Sequence, residues 1–116
     1  MDWNKRRERR GLNYNYVITY KYGAIELYID RGKESKEENK RIFDELHSHK
    51  KEIEEVFGEE LEWQRLDDSR ASRIRKTYIY ARLDDKNKWD KLQDDMVDEM
   101  IRLEKSLKKY INRLKL

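Results

Sequence analysis

The apolar residues of this chain change period along its length, from two to about 3.6, back to two and again to 3.6, and few folds accept that order. Tyr14, Tyr16, Ile18 and Tyr20 alternate with Asn13, Asn15, Val17 and Thr19, the pattern of a half-buried strand. Gly23 is placed to supply a tight turn. Ile25, Leu27 and Ile29 then alternate with Ala24, Glu26, Tyr28 and Asp30 in a second strand. Ser35-Lys36-Glu37-Glu38 predicts a capping box at a helix start. Ile42, Phe43, Leu46, Ile53, Val56 and Phe57 follow at helical spacing, and Gly58 fits a left-handed residue just past the helix end. A short strand is expected at about Leu61 to Leu66, a turn at Asp67-Asp68-Ser69, and another strand from roughly Ala71 to Ala81.

Asp84, Asp85 and Asn87 are alternative caps for a long final helix. Its stripe is Trp89, Leu92, Met96, Met100, Leu103, Leu107, Tyr110 or Ile111, and Leu114. At about 1.5 Å per residue it runs on the order of 40 Å. That is long for a domain this size, so its last turns are expected to project or to meet a partner. The basic opening, residues 1–11, reads either as a short edge strand or as a frayed arm. The fold class is therefore α+β, in the order β-β-α-β-β-α with room for one extra N-terminal strand. The sheet is mainly antiparallel, with two helices on one face, in a single domain over residues 1–116.

Composition narrows the function classes. Charged residues make up 46% and apolar ones 36%, so the core has to be economical, yet the regular apolar spacing argues against disorder. With no Cys, disulfides, thiolate metal sites and thiol nucleophiles are excluded. The basic cluster behind Met1 is not followed by an apolar run, so it does not read as a secretory signal. No stretch approaches the ~20 apolar residues of a membrane span, and a cytoplasmic location without membrane contact is expected by default. The net charge of +3 conceals segregation: residues 1–33 hold 8 basic and 4 acidic groups, whereas residues 34–60 hold 5 and 10. Positive charge thus gathers on the strands and negative charge on the first helix.

Three segments carry a family likeness. "IELYIDRG" from Ile25, "FGEELEWQRLDDSRASRIRKTYIY" from Phe57 and the Trp89-to-Leu114 helix, with "IFDELHSHKKEIEEVFG" between the first two, together resemble the domain-of-unknown-function family 4268. The likeness covers nearly the whole chain. Members typically form C-terminal parts of longer prokaryotic proteins, some with restriction-endonuclease-like regions. The resemblance implies an accessory domain near nucleic-acid processing or defence, and it implies no activity.

A nuclease centre of the PD-(D/E)xK type needs an acid separated by one residue from Lys to hold Mg²⁺ and position water. Glu26-Leu27-Tyr28 and Glu62-Trp63-Gln64 both lack the Lys, and Asp67-Asp68 reads as turn chemistry. His47 and His49, two apart on a helix, point to different faces and do not make a ligand pair. Neither a nucleophile elbow nor a phosphate-cradling loop is present. No catalytic residue, metal or cofactor is expected.

Basic groups are the better candidates. Lys5, Arg6, Arg7, Arg9 and Arg10 cluster at the start, and Arg70, Arg73 and Arg75 gather around the last strand, followed by Lys76 and Arg82. On a regular strand Arg73 and Arg75 share a face. An open sheet face carrying them, with tyrosines to stack on bases, would suit DNA or RNA. The alternative is pairing of those arginines with acids such as Glu26 or Glu62. A different reading makes the final helix an interaction or homodimerisation module, working through Leu107, Tyr110, Ile111 and Leu114 with a protein partner or a second copy.

Overall fold

The computed structural model describes residues 10–79 and 86–116. Strand β1 (Leu12–Ile18) and strand β2 (Gly23–Ile29) form an antiparallel hairpin. Helix α1 (Lys36–His47) and helix α2 (Lys50–Phe57) follow, then strands β3 (Glu62–Gln64) and β4 (Ser72–Tyr78), and helix α3 (Lys86–Arg113) closes the chain. The sheet order is β1-β2-β4-β3, antiparallel throughout. The two hairpins are thus joined through β2 and β4. Asp84 and Asp85, and the expected end of the last strand near Ala81, lie outside the described residues.

The alternation selects the faces. Ile25, Leu27 and Ile29 of β2 and Ile74 of β4 are fully buried against Ile42, Leu46, Ile53 and Phe57 of the first two helices and Leu103 and Leu107 of the third. The three described helices therefore cover one face of the sheet, and the apolar burial there supplies the main driving force for folding.

Several local expectations are corrected. The single first helix is two helices, broken at Ser48-His49 without Pro or Gly. Ser48 Oγ donates back to the Glu45 carbonyl at 2.6 Å, and His49 N–H reaches the Leu46 carbonyl at 3.0 Å, so the helical ladder tightens and stops. The break leaves Val56 52% exposed while Ile53 and Phe57 are buried. The capping box does not form. Ser35 donates instead to the Gly32 carbonyl, and Glu38 pairs with Arg31 at 3.4 Å. Gly23 is not the turn residue. Thr19 Oγ1 accepts the Lys21 and Tyr22 amides and closes the hairpin, while Gly23 begins β2. A Cβ on Gly23 would stand 3.4 Å from Met96 Sδ, so its smallness lets α3 lie close to the sheet. Gly58, at φ 98°, ends α2 as expected, with its N–H on the Glu54 carbonyl at 2.8 Å.

Candidate interaction surface

The face of the sheet opposite the helices is where free arginines were expected. It carries Asn13, Asn15 and Val17 of β1, Ala24, Glu26 and Tyr28 of β2, Arg73, Arg75 and Thr77 of β4, and Glu62 and Gln64 of β3. Arg75 is 3% exposed and sits opposite Glu26, also buried, with Nε to Oε1 at 4.0 Å. Its guanidinium carbon lies 5.2 Å from the Tyr22 ring centre. Arg73 Nε donates to Gln64 Oε1. Arg70 grips Asp30 through two bonds, of 2.9 and 2.7 Å. The open basic face is therefore reduced: Arg75 and Arg73 face Glu26 and Gln64 in register, with Arg75 buried and Arg73 half-buried, and Arg70, just before β4, is half exposed in its pairing with Asp30. Arg10 is exposed, and its carbonyl accepts Arg31 Nη1 at 2.7 Å. Lys5, Arg6, Arg7, Arg9 and Arg82 lie outside the described residues.

Where β2, β4 and α1 meet, polar side chains are buried as ties. Asn39, fully buried, donates to Ser35 Oγ at 3.0 Å and the Arg70 carbonyl at 3.1 Å, and accepts the Arg31 amide at 2.9 Å. Lys40, 6% exposed, directs Nζ to the carbonyls of Arg65, Leu66 and Ala71 at 2.5, 2.9 and 2.7 Å and to Ser72 Oγ at 3.0 Å. Burial, with Lys36 adding to it, pushes its pKa below the ordinary lysine value. This ammonium fastens the β3–β4 turn, where Leu66 is held at φ 55°.

The acids near a lysine are also structural. Lys76 Nζ reaches Glu59 at 2.7 Å and also Glu99, and Arg102 lies 3.8 and 3.5 Å from the same two carboxylates. This network straps β4 to α3 and to the loop after α2. Among the described residues no group of three or more His, Asp or Glu is placed to hold a metal ion. His47 packs between Phe43 and Trp63, and His49 stacks on Tyr110 at 4.4 Å.

The end of α3 is likewise turned inward. Leu107 is fully buried and Ile111 is 7% exposed, and Tyr110 and Leu114 are half-buried against the same core. Of the four residues expected to meet a partner, Leu107 and Ile111 thus lie in the core, while Tyr110, stacked by His49 at the head of α2, and Leu114 stay half-buried at its border.

Apart from the isolated Val56 and Ile79, several exposed apolar groups gather along β1. Its sequence, LNYNYVI, has no charge and no Pro, and among the described residues nothing pairs with its outer edge. Asp30 N–H bonds the Gly11 carbonyl and Thr19 N–H the Tyr22 carbonyl. With the alternation of an antiparallel ladder, residues 13, 15 and 17 therefore bond to β2, and Leu12, Tyr14, Tyr16 and Ile18 turn their N–H and C=O groups outward. The side chains of those four point to the helix-bearing face, where α3 runs alongside. One groove, of ≈ 490 Å³, is lined by Leu12, Tyr14, Ile101, Lys105 and Lys108 among others. A second, of ≈ 260 Å³, lies between Tyr16, Ile18, Gln93, Met96 and Val97. Tyr16, Ile18, Val97 and Ile101 are 48–62% exposed. Tyr14 is half-buried, and burial, with Glu104 nearby, raises its phenol pKa. The missing signal was negative: an edge strand without the usual guarding charges.

The family described as "Domain of unknown function (DUF4268)" matches residues 4–111. The chain belongs to this family. No curated protein and no solved structure matches it. In this DUF4268 domain no described helix is long and apolar enough to cross a membrane.

The Asp30–Arg70 tie gives the DUF4268 fold an acid-sensitive joint. The hydrogen bonds from Arg70 hold the Asp30 carboxyl below its ordinary value, against a smaller opposing effect of burial. A carboxyl depressed in the folded state adds stability above its unfolded pKa and loses it as pH falls through the folded one. Arg70→Gln is therefore expected to return the Asp30 titration toward 3.8 and to start acid unfolding at a higher pH. Carbon-detected NMR of the carboxyl and a pH-dependent melt check both.

Proposed function

We propose that this domain is a non-enzymatic protein-interaction module working through the outer edge of β1 and the adjoining face of α3. One observation carries the reading: an uncharged seven-residue strand offers backbone groups that nothing among the described residues pairs, beside exposed Val97 and Ile101. Strand addition draws affinity from such main-chain groups and specificity from the neighbouring side chains. Long apolar edges left bare are otherwise an aggregation hazard that proteins avoid.

Hydrogen exchange on the dilute chain tests it. Amides of Leu12, Tyr14, Tyr16 and Ile18 are expected to exchange about 100-fold or more faster than those of Asn13, Asn15 and Val17, which bond to β2. Equal protection of both sets in dilute solution would mean that the edge is already covered within the chain, and the reading would be lost.

Nucleic-acid contact is the second reading. Its described cations are Arg10 and the exposed lysines and arginine of the last α3 turns, Lys105, Lys108, Lys109 and Arg113. It ranks lower because Arg70, Arg73 and Arg75 are engaged by Asp30, Gln64 and Glu26. Binding of a labelled oligonucleotide at two salt concentrations tests it, since phosphate contacts make affinity fall steeply with salt.

A further inference from the structure

We infer that the occupant of this surface is a second copy of the same chain, joined by antiparallel pairing of two β1 strands about a two-fold axis at Asn15; this rests on the interaction reading above and names its partner. The backbone supplies the first argument. With the axis at Asn15, Tyr14 of one copy stands opposite Tyr16 of the other, and Leu12 opposite Ile18. These are the residues whose N–H and C=O groups point outward, so every outward donor meets an outward acceptor. A shift of one residue would set outward groups against residues already bonded to β2. The same four side chains share the helix-bearing face, so the pairing also closes an apolar seam flanked by Val97 and Ile101.

Charge supplies the second argument. Leu12 and Tyr14 lie beside Glu104, Lys105 and Lys108, whereas Tyr16 and Ile18 lie beside Gln93 and Val97. Asn15 is therefore level with the stretch of α3 between Val97 and Ile101. The axis that pairs the strands also turns α3 over about that stretch. It brings the exposed Asp90 and Asp94 of one copy to the side of Lys105 and Lys108 of the other. None of these four is in an ion pair among the described residues of its own chain. An isologous interface has to be complementary to itself, and one helix that runs from Asp90 and Asp94 through an apolar centre to Lys105 and Lys108, which outnumber Glu104 beside them, has ends of opposite net sign that satisfy this. A foreign strand needs only the open edge. Rim charges of this kind set register and choice of partner more than raw affinity.

Sedimentation of the full chain across concentrations is the test. The mass is expected to rise from 14.5 kDa toward twice that value. Tyr16→Pro removes an N–H that β2 does not use, at an edge position where Pro is tolerated. It is expected to raise the dimer Kd by about tenfold or more with unchanged far-UV dichroism. Because that variant perturbs the strand itself, charge exchange is the second arm. The double variants D90K/D94K and K105E/K108E should each dimerise about tenfold more weakly, and an equimolar mixture of the two should form the heterodimer. Wild-type dimerisation by both double variants, or a mixture that stays monomeric, would overturn the proposal. A chain monomeric at all concentrations with fast-exchanging outer amides removes self-pairing and leaves the interaction reading intact. A monomer with protected outer amides removes both.

Discussion

Lys40→Met should cost about 3–5 kcal/mol, a large share of the 5–15 kcal/mol that holds a typical domain folded. The ammonium shares its three N–H groups among the carbonyls of Arg65, Leu66 and Ala71 and Ser72 Oγ. Carbonyls only accept, and methionine, close in size, donates nothing. Each buried carbonyl left without a donor carries a desolvation penalty of about 1–3 kcal/mol. Ser72 Oγ, which also donates to the Arg65 carbonyl at 2.7 Å, offsets part of the loss there. Leu66, held at positive φ by this grip, would be freed to relax, so the β3–β4 turn should lose exchange protection before the rest of the sheet. Arg41→Met, one residue along and half exposed, is the control and should stay within about 0.5 kcal/mol of the parent. Urea denaturation measures both. A Lys40→Met loss below about 1 kcal/mol would show that water replaces the ammonium without difficulty.

The second large effect belongs to Glu26 and Arg75. They face each other across β2 and β4, both nearly buried, at 4.0 Å, with Arg75 Nε and Nη2 and Glu26 Oε1 lacking a hydrogen bond. Asn15 Nδ2 reaches Glu26 Oε2 at 3.3 Å, and the Tyr22 ring accompanies the guanidinium. Arg75→Met leaves a buried carboxylate with no cation and should cost about 3–5 kcal/mol; Glu26→Leu strands the guanidinium and should cost a similar amount. The double variant Glu26→Leu with Arg75→Met should recover most of the loss, since apolar packing often matches a buried ion pair. The coupling from a double-mutant cycle is the measurement. Additive losses would mean that the two charges act independently and that the pair is not a unit.

These residues also show what could be read from the sequence. The strands around Tyr14 to Ile29 and Ile74 to Tyr78 were legible because one covered face imposes a period of two, and Gly58 because the chain needed a positive φ there. The pairing of Arg75 with Glu26 was visible only as an alternative, since the register that opposes them depends on joining two distant hairpins. Lys40 was invisible. Its cage is made of backbone carbonyls 25 to 31 residues away, which no side-chain pattern reports. The break at Ser48-His49 was hidden for a related reason. No Pro or Gly marks it, and the helix that follows it, α2, packs along α3 with His49 stacked on Tyr110. The surface along β1 was hidden because its evidence is a lack of charge, which stands out only once the strand is known to lie at an edge.

The joint between the hairpins has a consequence for synthesis. β1 and β2 are complete by residue 29, but the partner for the inner edge of β2 is β4, which ends at Tyr78. Asn39 and Lys40 cannot find their carbonyls until Arg65 to Ser72 have been made. A nascent chain leaving the ribosome thus carries a two-sided ribbon with both margins bare until the last strand arrives. Slowed translation before that point is where misassembly would begin.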